Sequence, residues 1–529
     1  MPRPGFVLEV DERTPPLLVH QGEGFRMQKF PLGTRVVYPP DALPGIRDVG
    51  AAVQHALMHP LGDSKPLTEL LFPGMKLTIA IDDISIPLPP MRTPDVRQRI
   101  LEPVIELAAR KGVEDLELII ATALHRRMTS AEIRRAVGER VFRSFWPDQL
   151  YNFDAEDPQA LLEIGTTDQG ELVEISKRAA ESDLIVYVNI NLVAMDGGHK
   201  SVAVGLAGYR SLKHHHNVNT MLHSKSYMDP REGHSAINDS VNRMGRVLAD
   251  SGVKIFQIET TLNSETFPSN LGFLNKREWE WSASDQGLMM AAKKANDLAP
   301  PRIRREFFQR IEAPYKLTGV NAGEVEAVHE RTMTNLHRQQ LVEVNGQADV
   351  LILGLPYLGP YNVNSILNPI LVHCLGLGYL FNMYRNKPLV REGGVVILHH
   401  PVPWEFNQIH HPSYIDFFEE VLRETTDPKE IEATFEERYA TDPWYRHLYR
   451  TSHAYHGVHP FYMWYWGAHG RDHAGDVIFV GGNPSSVARL GYRRADSMRD
   501  AIEMAKDTVG SSPTMTYFHA PPVMIADVR

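Results

Sequence analysis

The sequence contains very little cysteine and no long apolar run. Its 529 residues include one cysteine, Cys374, which excludes an intrachain disulfide and a zinc site built from several cysteines. No stretch approaches the roughly 18 consecutive apolar residues of a membrane-spanning helix. The sequence also begins without the apolar segment of a secretion signal. We therefore expect a cytoplasmic protein that does not act at a membrane.

The sequence also lacks an excess of positive charge. Its 55 basic and 65 acidic residues give a net charge of −10, which disfavours nucleic acid as a partner. Hydrophobic residues make up 43% of the chain and charged residues 23%, a composition typical of globular proteins. A chain of this length exceeds a single compact core, so more than one domain is expected.

Short apolar runs alternate with helical patterns, which predicts an α/β fold with mostly parallel sheets. The predicted strands are residues 76–82, 115–122, 184–190, 253–259, 350–354, 394–398 and 476–480. The pattern restarts after about residue 330. We therefore predict two α/β domains, residues 1–325 and 326–529, with a ligand-binding cleft between them. The second domain would carry an aromatic and histidine-rich insert at about residues 400–470.

Capping residues predict where several helices begin. Thr93 could cap and Pro94 could open a helix that ends near Gly112. Thr129 and Glu132 have the spacing of a capping box, in which each side chain bonds the backbone of the other. These signals place helices between the predicted strands, as a mostly parallel sheet requires.

Four segments beyond predicted strands carry reactive side chains, and functional groups of α/β folds usually lie there. The segments are Asp82-Asp83 with the following Pro-rich loop, residues 121–126, residues 197–201 and residues 213–217. The imidazole of His125 could serve as a general acid or base. The amine of Lys200 could act as a nucleophile if it were desolvated, and the preceding glycines allow close approach of backbone to a ligand.

These segments, taken in order, resemble the nickel-dependent lactate racemase family. Residues 83–87 are similar to its Asp loop that ends in proline, and His125 falls in its Ala-Thr-Gly-x-His-Arg segment. Lys200 falls in its Gly-Gly-x-Lys-Ser segment, and His216 follows Lys200 by sixteen residues, which is the spacing of the family's metal-binding histidine. The resemblance extends over roughly residues 70–510.

The resemblance implies a specific cofactor and reaction. A nickel-pincer nucleotide, pyridinium-3,5-bisthiocarboxylic acid mononucleotide, would be covalently bound through Lys200, and His216 would bind its nickel. Further cofactor contacts would come from Asp83, Gly197, Gly198 and Ser201. The implied activity is racemisation or epimerisation of a 2-hydroxy acid, in which a hydride leaves the α carbon and returns, with His125 as a base. Cofactor-synthesising enzymes would be partners, and the chain could form a homo-oligomer.

The sequence departs from the family where the substrate would bind. Asn191 stands where a second acid–base histidine is expected, and an amide cannot exchange a proton at neutral pH. Ile86 replaces an arginine that would bind a carboxylate, and a Gln/Lys pair is not recognisable in residues 356–362. We therefore predict a rebuilt substrate pocket, in which His399 and His400 replace the missing base.

Two other functions fit the sequence. Loss of the second histidine and of the arginine would suit a non-catalytic binder or carrier of the nickel-pincer nucleotide. The histidine clusters would suit a metal-dependent hydrolase or lyase that uses an ordinary divalent ion. In the rebuilt substrate pocket, residues of the insert and of the segment before it could line a larger cavity, and the candidates are Trp404, Tyr414, Trp464 and Trp466 together with His399 and His400.

Overall fold

A computed structural model describes residues 6–529, and this part of the chain is built on two large sheets. The first sheet has the strand order Leu317–Gly323, Ile255–Leu262, Leu184–Asn191, Lys76–Asp82, Asp115–Ala121 and Leu150–Asn152. The second has the order Val7–Glu9, Arg35–Val37, Met515–Phe518, Ala348–Gly354, Val390–His399, Asp476–Val480 and Arg493–Ala495. Each sheet has one antiparallel pair at an edge, and its other neighbours are parallel. The predicted α/β class is confirmed.

Smaller sheets and helices complete the described part of the chain. A three-stranded sheet contains Leu341–Val344, Ile525–Val528 and Tyr384–Arg385, and two hairpins pair Leu17–His20 with Phe25–Gln28 and Leu161–Thr166 with Leu172–Ser176. The longer helices are Val49–Met58, Val96–Arg110, Ser130–Val137, Ala236–Asp250, Ala283–Leu298, Pro301–Gln309, Val325–Gln340, Pro443–Thr451, His459–Trp466 and Met498–Val509. Shorter helices include Lys200–Gly205, Tyr209–Leu212 and Val218–His223.

All seven predicted strands are present, with ends that differ by a few residues. The capping box at Thr129 and Glu132 is also confirmed. The predicted start at Thr93 and Pro94 is wrong, because the helix begins at Val96 and Asp95 is its cap. The Asp95 carboxylate accepts hydrogen bonds from the backbone and the guanidinium of Arg97, and a charged acceptor with two such donors is the stronger cap.

The first strands of the chain belong to the second sheet. Arg35–Val37 pairs in parallel with Met515–Phe518, and Val7–Glu9 pairs with Arg35–Val37. The turn of the first hairpin is attached to the same sheet, since Gly22 N–H donates to the Leu355 carbonyl at 2.7 Å. The sheet pairing therefore does not follow the predicted division near residue 325, and the domain limits stay a prediction. Residues 1–5 lie outside the described part.

One hydrophobic core joins the two large sheets. It includes Ile119 and Tyr187 from the first sheet and Leu353 and Leu398 from the second. The opposite face of each sheet packs into a separate core. Burial of this shared apolar surface holds the two sheets against each other, because each buried side chain contributes about 1.5–3 kcal/mol. Between residues 6 and 529, no helix is long and apolar enough to cross a bilayer.

Candidate active site

A cavity of about 530 Å³ lies where strand ends of the first sheet meet the segment that follows Ala348–Gly354. This volume is in the range of small-molecule sites. Six of the nine predicted site residues line it, namely Asp83, His125, Gly197, Lys200, Ser201 and His216. Parallel pairing explains why they converge, because the register that aligns Asp82 with Ala121 carries the following residues to the same edge of the sheet.

Asp83 and His125 form a close pair at this edge. The Oδ2 atom of Asp83 lies 2.7 Å from Nδ1 of His125, and its Oδ1 accepts hydrogen bonds from the backbone and hydroxyl of Ser85 at 2.9 and 2.5 Å. Burial opposes charge on Asp83, but its interactions with His125 and Ser85 together outweigh burial and lower the pKa of the carboxyl. A charged Asp83 accepts a hydrogen bond from Nδ1–H of His125, which leaves Nε2 of His125 free to take a proton from a substrate.

The turn before Lys200 is fixed by buried polar groups. Gly197 has a φ of +84°, and a Cβ atom at this position would lie 2.3 Å from Oδ1 of Asn191. The backbone N–H of Gly198 donates to the buried Glu259 carboxylate at 2.6 Å, while Oγ of Ser201 accepts from Gln257 at 2.7 Å. Gly198 is not among the cavity-lining residues. The two glycines thus shape the turn that begins the helix Lys200–Gly205.

Lys200 is the first residue of that helix and its side chain is 25% exposed. Its amine donates to the Met195 carbonyl at 3.1 Å and lies 3.9 Å from the Asp196 carboxylate. Burial raises the pKa of Asp196, which weakens it as a counter-ion for the amine. The amine is therefore held at the cavity wall by few contacts, as a nucleophilic lysine must be.

His216 lies between two aromatic rings. Its ring centroid is 5.2 Å from that of Tyr462 and 5.4 Å from that of Trp466, and its Nδ1 atom is 2.6 Å from Nδ1 of His215. Burial lowers the pKa of His216, and the charge of Lys200 adds to this effect, so the imidazole is neutral. If Nδ1–H of His216 donates to His215, the lone pair of Nε2 is available to a metal ion.

Two polar atoms of the same wall have no hydrogen-bond partner in the described residues. They are the Tyr462 hydroxyl and Nε1 of Trp466, and both are buried. Buried donors are normally paired, so these two are able to donate to a molecule bound in the cavity. Their position beside His216 adds two donors to the site. No group of three or more His, Cys, Asp or Glu able to hold a metal ion occurs between residues 6 and 529.

His459 also lines the cavity, although sequence reasoning did not single it out. Its ring centroid lies 5.4 Å from that of His125, and its Nδ1 atom lies 2.5 Å from the Tyr414 hydroxyl. Burial lowers the pKa of His459, so the ring is neutral. One signal could have identified it, since His459, Tyr462, Met463 and Trp466 all line the cavity and have the i, i+3, i+4, i+7 spacing of one helix face.

His399 and His400 do not line this cavity, which corrects their prediction as replacement bases. Both are buried, and Nδ1 of His400 accepts a hydrogen bond from the backbone of Val402 at 2.9 Å. The prediction assumed that the strand Val390–His399 ends at the cleft. Its end is covered instead by the first hairpin, where Gly22 packs so closely that a Cβ atom would lie 2.7 Å from Nε2 of His400.

The departures from the family pattern have different structural outcomes. Ile86 lines the cavity, whereas Asn191 is buried beside it and donates to Oδ1 of Asn189 at 2.7 Å. Of the four aromatic residues proposed for a larger pocket, Trp466 lines the cavity. The other three do not, and Trp464 instead stacks on His373 with ring centroids 4.2 Å apart.

Part of the sequence is similar to known lactate racemases. The model of the lactate racemase N-terminal domain matches residues 24–229. Lactate racemase from Thermoanaerobacterium thermosaccharolyticum is 28% identical over 170 residues, and lactate racemase from Lactiplantibacillus plantarum is 26% identical over 171 residues. Each match covers 31% of this chain, and the matched region spans 37% and 38% of the two relatives, a little more than a third of their length.

The fold is similar over a much longer stretch. The structure of the lactate racemase apoprotein from Thermoanaerobacterium thermosaccharolyticum superimposes with a TM-score of 0.59 at 17% sequence identity. The superposition covers 97% of this chain and 100% of the other. The two proteins therefore share a fold, while most of their side chains differ.

Proposed function

Because residues 24–229 match the model of the lactate racemase N-terminal domain, we propose that this chain is a racemase or epimerase of a 2-hydroxy acid that uses the nickel-pincer nucleotide. One observation carries the proposal. His125, Lys200 and His216 come from three separate segments and line one cavity. Each has the chemistry that the role needs: a base with a free nitrogen, a nucleophilic amine and a neutral imidazole.

The lining residues fit this cofactor. Lys200 would hold it covalently, and Nε2 of His216 would be the protein ligand of its nickel. The Tyr462 hydroxyl and Nε1 of Trp466, which have no partner in the described residues, would donate hydrogen bonds to it. When bound, the group supplies a hydride acceptor for the α carbon of the substrate.

The side chains of the cavity would carry the proton steps. Nε2 of His125 takes the proton of the substrate hydroxyl, while Asp83 holds Nδ1–H and so fixes the ring. Asn191 stands in place of the second histidine and cannot transfer a proton. We therefore assign the second proton transfer to His459, whose ring lies near that of His125. The Tyr414 hydroxyl fixes the ring of His459 in a similar way. The change His459→Gln should then slow turnover while the cofactor stays bound.

The paired histidine favours an enzyme over a carrier. A carrier of the nucleotide needs Lys200 and His216 but has no use for a base that a buried carboxylate orients. The metal-dependent hydrolase or lyase has less support. Of the clustered histidines that suggested it, His399 and His400 lie away from the cavity, and His216 and His459 line it in separate roles.

Intact-protein mass spectrometry tests the proposal. The protein should be produced together with cofactor-synthesising enzymes and nickel, and it should then carry a covalent adduct on Lys200. Lys200→Ala should abolish the adduct, because no other lysine of the described residues lines the cavity. An adduct that persists in Lys200→Ala, or that never forms on the unmodified chain, would count against the proposal.

Nickel content separates the metal ligand from its neighbours. His216→Ala should lower the nickel content of the purified protein by most of its value, because the imidazole completes the ligand set. His214→Ala is the matched control, since His214 belongs to the same triplet but does not line the cavity. Equal losses in both variants would show that His216 is not the ligand.

A further inference from the structure

We propose that the substrate is a 2-hydroxy acid with an extended apolar side chain. This side chain would lie in an apolar vestibule of the cavity. We define the vestibule by the lining residues Phe273, Leu274, Met289, Ala292, Ile303 and Phe308. They come from the segment between the strands Ile255–Leu262 and Leu317–Gly323, including the helices Ala283–Leu298 and Pro301–Gln309. The inference rests on the proposed function, because the hydroxy acid end would bind at His125.

Both helices present a defined face to the cavity. On the first, Met289, Ala292 and Ala295 follow at helical spacing, and on the second Ile303 and Phe307 do so. Ile303 and Phe307 remain 58% and 49% exposed, although they line the cavity. Apolar side chains arranged around an open cavity are the typical lining of a site for an apolar group.

The vestibule continues to the catalytic end along one wall. The ring of Phe308 lies 6.0 Å from that of Tyr357, and the ring of Tyr361, four residues further along the same lining segment, lies 5.0 Å from that of His125. Leu358 lines the cavity between the two tyrosines. A side chain attached to the α carbon of a substrate at His125 would therefore meet apolar groups along this wall.

Further apolar side chains line the cavity outside the vestibule. Ile86 lines the cavity at the position of the expected arginine, and Leu88 and Ile311 line it as well. Arg304 also lines the cavity, but its guanidinium lies 3.4 Å from the carboxylate of Glu23. This wall favours a substrate that gains affinity by burial of hydrocarbon, because a small acid would leave it in contact with water.

Binding affinity across a homologous series tests this substrate class. Lactate, 2-hydroxyhexanoate and 2-hydroxydecanoate can be titrated calorimetrically into the purified protein, below the critical micelle concentration. Burial of each CH₂ should raise the affinity by about two- to fourfold. An affinity that does not rise with chain length would overturn the inference.

Two tryptophan variants of one helix test where the hydrocarbon chain of the ligand binds. Ala292→Trp should fill the vestibule and lower the affinity for 2-hydroxydecanoate at least tenfold, while lactate binding changes little. Leu298→Trp is the matched control, because Leu298 lies on the same helix, is 77% exposed and does not line the cavity. If both variants bind 2-hydroxydecanoate with equal affinity, its hydrocarbon chain binds elsewhere, for instance on the outer apolar surface. This result would also overturn the inference.

These outcomes differ from those that test the proposed function. Chain-length-dependent binding that Ala292→Trp abolishes, in a protein that never carries the Lys200 adduct, would support the vestibule and contradict the cofactor. An adduct together with equal binding of lactate and 2-hydroxydecanoate would support the cofactor and contradict the vestibule.

Discussion

The carboxylate of Asp83 accepts hydrogen bonds from His125 and from Ser85, and these contacts determine which ring nitrogen of His125 holds the proton. Asp83→Asn would replace the charged acceptor by an amide that can also donate, and so would favour the wrong tautomer. We expect turnover to fall at least roughly tenfold, since acid–base assistance is typically worth about 10²–10⁴-fold.

A split between kinetic and binding measurements distinguishes this role from a structural one. In Asp83→Asn, kcat should fall, while the Lys200 adduct, the nickel content and KM stay close to their original values. Loss of the adduct together with kcat would mean that Asp83 contacts the cofactor, as the family resemblance implies. An unchanged kcat would remove Asp83 and His125 from the proton transfer.

At the same scale, local motifs identified part of the site in advance. Lys200, His216 and His125 stand in short segments whose spacing survives in the sequence, and all three line the cavity. For His459, local spacing could show only that it shares a helix face with Tyr462, Met463 and Trp466, because its place beside His125 depends on how a distant helix packs. His399 and His400 were misplaced because nothing local shows that the first hairpin covers the end of their strand.

Among structural elements, the turn before Lys200 makes the most specific demand on the sequence. Gly197→Ala should destabilise the protein more than Gly233→Ala, although the two glycines have similar φ angles of +84° and +75°. In both variants, an alanine in the left-handed backbone region lowers the free energy of unfolding by about 1–2 kcal/mol. At Gly197 the new methyl group would also meet Asn191 and Glu259, whereas at Gly233 it would meet no atom within 4 Å.

Thermal unfolding of the two variants measures this difference. Gly197→Ala should show the lower unfolding midpoint and reduced adduct formation on Lys200, because the turn positions that residue. Gly233→Ala should form the adduct normally. Equal midpoints would show that the turn relaxes to admit the methyl group, and the account of the turn would then be wrong.

The elements of the large sheets were predictable where strands are long and apolar. Lys76–Asp82 and Asp476–Val480 were found to the residue, because continuous runs of buried side chains leave little ambiguity. Val7–Glu9 and Arg35–Val37 were missed, since three-residue strands carry almost no periodic signal. The partner of Arg35–Val37 lies at Met515–Phe518, so this pairing follows from tertiary structure rather than from local pattern.

For the molecule as a whole, buried histidines predict sensitivity to acid. Burial lowers the pKa of eight of them to about 3 or 4, and they are His20, His215, His373, His399, His400, His410, His411 and His469. Each stays neutral in the folded state but titrates near 6.5 in the unfolded chain. The unfolded chain therefore binds more protons as the pH falls from about 6.5 toward 4, and stability is lost over that window.

Urea unfolding at pH 7.5 and at pH 5.5 checks this prediction. Each histidine that stays neutral in the folded state should lower the free energy of unfolding by about 1 kcal/mol at pH 5.5 relative to pH 7.5. Asp82 and Glu436 oppose the loss, because burial raises the pKa of each to about 7 and their protonation in the folded state favours folding at lower pH. The histidines outnumber them, so the protein should be less stable at pH 5.5. Equal or greater stability there would contradict this balance.

The α/β architecture was predictable from the sequence, but the way in which the two large sheets are joined was not. Alternating strands and helices indicated an α/β fold, and the structural similarity to a lactate racemase apoprotein agrees with it. The shared core between the sheets, the return of the first strands to the second sheet and the apolar vestibule depend on contacts between distant segments. Such contacts leave no periodic trace within any single stretch of sequence.

Isotope retention during racemisation tests the central claim most directly. One enantiomer of a 2-hydroxy acid that carries deuterium at its α carbon can be incubated in ordinary water with the nickel-loaded protein, using the series from lactate to 2-hydroxydecanoate. If the α hydrogen leaves and returns as a hydride, the opposite enantiomer should form and keep its deuterium. Formation of that enantiomer with hydrogen from water would indicate a carbanion, and no racemisation of any member by adduct-bearing protein would indicate a carrier. Either result would contradict the account.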